Sequence, residues 1–150
     1  MPVEHIASSL GVQVVTKALA DDVSGLLIRP ETGAPAIVVN KAHPKVRQRF
    51  TIAHELGHLV LHKGRPVVVD HVRLNLRDAR SRAAVDVEEI EANAFAAELL
   101  MPRALIVAEL NRASARSDSA RLAADLAEGF GVSKEAAEYR LINLGISGQV

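Results

Sequence analysis

Short apolar runs broken by turn residues occupy the first part of the chain, and beyond them the apolar positions recur at helical spacing. Residues 3–10 predict a short helix ending near Gly11. Val12 to Val15, Gly25 to Arg29 and Ala36 to Asn40 predict three strands, with a turn from Pro30 to Pro35 between the last two. Pro44 suits the first turn of a helix from about Lys45 to about His62, closed by Lys63-Gly64. Val46, Phe50, Ala53, Leu56, Gly57 and Val60 follow helical spacing, which predicts one face of that helix in the core. Pro66 to Leu76 alternates in part and predicts an edge strand or hairpin, and Arg77 to Ala84 a loop.

A second strong helix is predicted from about Asp86 to Leu100, with Asp86 as its N-cap and acidic residues in the first turn favoured by the helix dipole. Met101-Pro102 ends or kinks it. Residues 103–111 and 119–129 read as helices separated by the polar run Arg112 to Asp118, and Ser133 caps a last helix over 134–144. The fold class is therefore α+β: a small N-terminal antiparallel sheet on two helices, followed by a helical C-terminal segment. At 150 residues the chain fits one domain, with a core over about 1–102 and a helical subregion over 103–150.

Composition removes several alternatives. Eighteen basic and eighteen acidic residues balance, so no global field favours nucleic acid or a membrane surface. With no cysteine, neither a disulfide scaffold nor a thiolate metal cage can form. One Tyr, three Phe and no Trp leave few rings for stacking single-stranded bases. Neither a leader pattern nor an apolar stretch of membrane-spanning length is visible, so the expected compartment is the cytoplasm.

The first long helix contains His54-Glu55-Leu56-Gly57-His58. Residues four apart on a helix point the same way, so the two imidazoles can converge on one Zn²⁺ with Glu55 close enough to act as general base. A catalytic zinc site takes a third protein ligand. The extended pattern that would supply a third histidine puts Gly64 at its place, so the ligand must come from further along. The second helix offers Glu88, Glu89 and Glu91. Glu89 shares a face with Asn93, beside the small residues Ala92 and Ala96, which favours Glu89 as ligand and Asn93 as the group orienting a ligand histidine. Glu88 and Glu91 read as solvated first-turn charges, and His62 as a surface histidine near a helix end. His and carboxylate donors suit Zn²⁺ and also admit Mn²⁺. His62, His71, Tyr139 and the arginines are candidates for stabilising an oxyanion.

His-Glu-x-x-His alone is a short motif with a substantial chance of random occurrence. Here it is preceded by Arg49-Phe50-Thr51 and followed by the block from Glu89-Ile90-Glu91-Ala92-Asn93 to Leu100-Met101-Pro102. Together with the Ala36 to Asn40 strand and Phe130-Gly131-Val132-Ser133, these segments resemble the ImmA/IrrE family of zinc metallopeptidases. The resemblance implies a gluzincin-like site, with His54, His58 and Glu89 on the metal and Glu55 as general base. It also implies an intracellular endopeptidase that cuts a helix-turn-helix repressor of the Xre type and so relieves repression. Other members of the family sit in toxin–antitoxin-like pairs.

A rival reading comes from Leu122 to Leu141, which has the helix, glycine turn and helix of a DNA-binding motif. Its second helix offers Lys134, Tyr139 and Arg140 but opposes them with Glu135 and Glu138. A packing unit is the favoured reading. The alternative is a DNA-binding or repressor-binding regulator with a non-catalytic metal site. Oligomeric state is not legible.

Overall fold

The computed structural model describes residues 2–63, 66–71, 82–114 and 122–146. Gly64, the run from Val72 to Ser81 and most of the polar run from Arg112 to Asp118 lie outside them, and with them Arg73, Arg77 and Arg80. The chain divides into two compact units, Pro2–Ala96 and a C-terminal unit from Ala97.

The N-terminal unit opens with α1 (Val3–Ser9), which ends as expected before Gly11. Gly11 has φ +74°, a left-handed conformation that glycine adopts without penalty. Strands β1 (Gln13–Lys17), β2 (Val23–Ile28), β3 (Ala36–Asn40) and β4 (Val67–His71) form one sheet in the order β1-β3-β2-β4. β2 pairs antiparallel with both β3 and β4, but β1 runs parallel to β3, with Val15 opposite Val38. The sheet is thus mixed rather than antiparallel. Short apolar runs specify strands, but not which neighbour fills the gap between two of them: β3 inserts between β1 and β2.

Asn40 fixes the end of β3. Fully buried, it donates through Nδ2 to the carbonyls of Ala20 and Val23 and accepts the Ala42 N–H at 3.0 Å. Gln48 then ties down the next connection by donating to the His43 carbonyl at 2.7 Å. Between these two amides the chain enters α2 (Lys45–Leu61), with Pro44 as N-cap and its carbonyl accepting the Arg47 and Gln48 N–H groups.

The sequence expectation of one buried face for α2 needs correction. All eight residues from Thr51 to His58 are buried, which covers the helix on every side, while Val46 and Val60 are exposed. α2 packs on α1, β2 and β3. The next helix, α3 (Arg82–Leu100), begins earlier than expected, so Asp86 lies inside it rather than at its N-cap.

In the C-terminal unit, α4 (Arg103–Ser114), α5 (Leu122–Phe130) and α6 (Lys134–Asn143) follow Met101-Pro102. Ser133 caps α6 as expected, its hydroxyl accepting the Ala136 N–H at 3.1 Å. Gly131, at φ +65°, turns the chain between α5 and α6, which pack on each other. Arg140 is buried, with its guanidinium paired to Glu98 and its Nε donating to the Met101 carbonyl at 3.2 Å. Desolvation raises the Glu98 carboxyl, but the Arg103 N–H and the Arg140 guanidinium together outweigh it and hold the group below its ordinary range. Of the bases available to a recognition helix, Arg140 is therefore spent on packing. No helix among the described residues is long and apolar enough to cross a membrane.

Candidate metal centre

Two glycines let α2 sit where it does. A Cβ on Gly25 of β2 would collide with Thr51, come within 3.0 Å of the Val38 carbonyl oxygen and lie 3.7 Å from Glu55 Oε1. A Cβ on Gly57 would lie 3.0 Å from Ala92 Cα and 3.1 Å from the Ala92 carbonyl oxygen. The helix is thus held between the backbone of β2 on one side and that of α3 on the other. Ala92 is fully buried, which is what the small-residue stretch of α3 predicts. Glycine in a helix interior costs up to about 1 kcal/mol in propensity, and at position 57 the close approach of α3 explains its use.

The C-terminal end of α2 is closed by a cation from the sheet. Arg29 Nη2 donates to the His58 carbonyl and, at 2.7 Å, to the His62 carbonyl. His62, with extended backbone, is the C-cap residue. The cation that meets the last turn is therefore Arg29 rather than Lys63; a guanidinium there also complements the negative end of the helix dipole. Sequence order could not reveal it, because Arg29 reaches the helix end only through the sheet.

His54, Glu55 and His58 are brought together in this enclosed stretch, and α3 adds Glu89. His54 Nε2 lies 3.0 Å from His58 Nε2. Glu89 Oε2 is 3.3 Å from His54 Nε2, and Oε1 is 3.1 Å from His58 Nε2. Imidazole and carboxylate lone pairs cannot face one another this closely without a proton or a cation among them. Donors at about 2.0–2.1 Å from a tetrahedral zinc would be about 3.3–3.4 Å apart, so this triangle and this donor chemistry fit such an ion. Hydrogen bonding to His54, followed by that to His58, drives the Glu89 carboxyl well below its ordinary range against the opposing effect of burial. The other acidic candidates, Glu88 and Glu91, do not join this cluster, and with α3 starting at Arg82 they lie beyond its first turn, which holds no acidic residue.

The outer nitrogens of the two histidines meet different partners. His54 Nδ1 is 3.0 Å from Asn93 Oδ1, and the Phe50 ring stacks on the same imidazole with centroids 6.4 Å apart. His58 Nδ1 is 3.1 Å from His62 Nδ1, and His62 Nε2 is 2.9 Å from Glu91 Oε2. His62 and Glu91, read from sequence as a surface histidine and a solvated charge, are therefore joined to the site's periphery. The available signal was the repeat of histidine four residues beyond His58. Among the oxyanion candidates, His62 is engaged in this way, Tyr139 is an exposed residue of the C-terminal unit, and the side chain of His71 lies outside the described set.

Known proteins are similar to this chain over most of its length. A peptidase family model described as the IrrE N-terminal-like domain matches residues 7–142. The radiation response metalloprotease IrrE of Deinococcus radiodurans is 35% identical over 106 residues, covering 70% of this chain and 30% of that protein. Immunity region protein 2 of Bacillus phage phi105, described as uncharacterized, is 30% identical over 98 residues, covering 65% of this chain and 57% of its own length. The chain thus spans less than two thirds of either relative. With the match to the domain extending over most of its residues, the chain belongs to the peptidase family of the IrrE N-terminal-like domain, the ImmA/IrrE family that its motifs resemble.

Proposed function

We propose that the chain is a zinc-dependent endopeptidase that hydrolyses a peptide bond in a protein partner, a helix-turn-helix repressor of the Xre type, and thereby relieves repression. The observation that carries this reading is the convergence of His54, His58 and Glu89 donor atoms with the buried Glu55 in the same turn of α2. His54 and His58 through Nε2, and Glu89 through its carboxylate, are the groups that would hold the ion. When bound, zinc supplies Lewis acidity, lowering the pKa of a water and polarising a carbonyl. Glu55 accepts the proton of the attacking water and returns it to the leaving amine. Glu55 is fully buried, with Oε1 beside Gly25 of β2, so its carboxylate sits out of bulk solvent. Asn93 keeps His54 in the tautomer that directs Nε2 inward.

The choice of substrate rests on the family resemblance, and similarity to the Deinococcus metalloprotease supports proteolysis as the activity. The non-catalytic regulator has less to support it, since Arg140 is committed to Glu98 and Met101. Incubation with an Xre-type repressor in zinc should give one defined cut, mapped by mass spectrometry, that stops with chelator and returns on zinc addition. An intact repressor under these conditions, with salt-steep duplex binding by the chain itself, would favour the regulator instead.

A further inference from the structure

The proposal concerns the outer side of His58 and rests on the metal-centre reading given above. A ligand histidine that offers Nε2 must carry its proton on Nδ1. At His58 that Nδ1–H points at His62 Nδ1, 3.1 Å away, so His62 must accept there and keep its own proton on Nε2. The Nε2–H then donates to Glu91 Oε2 at 2.9 Å. One arrangement of protons satisfies both contacts at once, running from the Glu91 carboxylate through both rings to the inward-facing nitrogen of His58.

His62 is held for this task from both ends. Its carbonyl accepts from Arg29 and its ring meets Glu91, while its side chain is only 10% exposed. Glu91 is on the solvent side at 53%, which supplies a charge that need not be desolvated to act. His54 has a different support, the neutral amide of Asn93. A carboxylate-backed imidazole is the stronger acceptor of the two, and outer partners of this kind raise ligand basicity as well as fixing ring orientation.

We propose that His62 and Glu91 form a positioning relay that holds His58 in its metal-binding tautomer and makes it the more electron-rich of the two histidine ligands. His62 thereby acts through His58.

The test is zinc affinity, measured on the purified metal-free chain by competition with a chromophoric chelator. His62→Leu fills the same space without an acceptor and should weaken zinc binding about 10–100-fold. His62→Gln, whose amide can accept from His58 and donate to Glu91, should recover most of that loss. Glu91→Gln keeps an acceptor, removes the charge and should fall between the parent and His62→Leu. In the zinc-loaded parent, ¹⁵N spectra should show His58 protonated at Nδ1. Binding by His62→Leu within about twofold of the parent, or a His62→Gln chain no tighter than His62→Leu, would overturn the relay. If His62→Leu does not fold, Glu91→Gln, altered at a half-exposed carboxylate, decides by the same criterion. A parent that takes up no zinc overturns the metal-centre reading and the relay with it. A parent that binds zinc beside variants that match it overturns the relay alone.

Discussion

Of the two helices that supply donor atoms, α2 is enclosed from Thr51 to His58, whereas α3 leaves Val87, Ile90 and Glu91 in solvent and Glu89 one-third exposed. α2 achieves its burial by removing side chains at Gly25 and Gly57, so that backbone meets it on two sides. α3 turns small residues, Ala92 and Ala96, to the interior and carries polar groups that reach across. The difference assigns the tasks. Rigid placement belongs to the two imidazoles and Glu55, and α3 adds from a half-open wall the one donor with substantial exposure, together with the outer partners Asn93 and Glu91. Burial of α2 should therefore govern folding, while α3 should govern metal affinity at little cost to stability.

The contrast breaks most visibly at Gly57. Helix propensity alone predicts that Gly57→Ala stabilises by about 1 kcal/mol. Contact with the Ala92 backbone predicts the opposite sign, and Gly57→Val should cost about 3 kcal/mol, at the upper end of overpacking. Urea unfolding midpoints decide between them; a more stable Gly57→Ala would mean that α2 and α3 are not closely packed. Next in size is Arg29→Leu, which strips the carbonyls of His58 in α2 and of its C-cap His62 of their charged donor and should lower stability by about 1–3 kcal/mol. Thermal unfolding of the metal-free chain would register it.

On the α3 side, Asn93→Ala should leave the urea midpoint nearly unchanged and weaken zinc binding by about tenfold, because it frees the His54 ring without opening the core. A large loss of stability with unaltered affinity would reverse the roles assigned to the two helices. The smallest effect belongs to Ile90→Ser on the solvent face of α3, within about 0.5 kcal/mol of the parent. A larger cost would show that this face is covered in solution.

Sequence alone made α2 legible because local rules agree there: Pro44 opens the helix and the histidines are four apart. The same holds for Ser133, whose cap is a local hydrogen bond. Features that depend on another element were not legible. The parallel pairing of β1 with β3 is a matter of topology, and the Arg29 cap requires β2 to lie beside the end of α2. Burial of α2 on every side depends on what surrounds it, whereas its apolar spacing indicates only one stripe. The His62–Glu91 contact joins residues that each look like solvated surface when taken singly. Glu89 stood between these cases: its spacing to Asn93 singled it out, but only the donor geometry set it beside His54 and His58 while Glu88 and Glu91 stayed outside.

The claim at the centre of this account is that Glu55 moves the proton in a site whose ion is held by other residues. Glu55→Gln, nearly equal in size, should bind zinc as tightly as the parent in the chelator competition and lower repressor cleavage about 10²–10⁴-fold. Cleavage continuing at the parental rate by a zinc-loaded Glu55→Gln chain would contradict it.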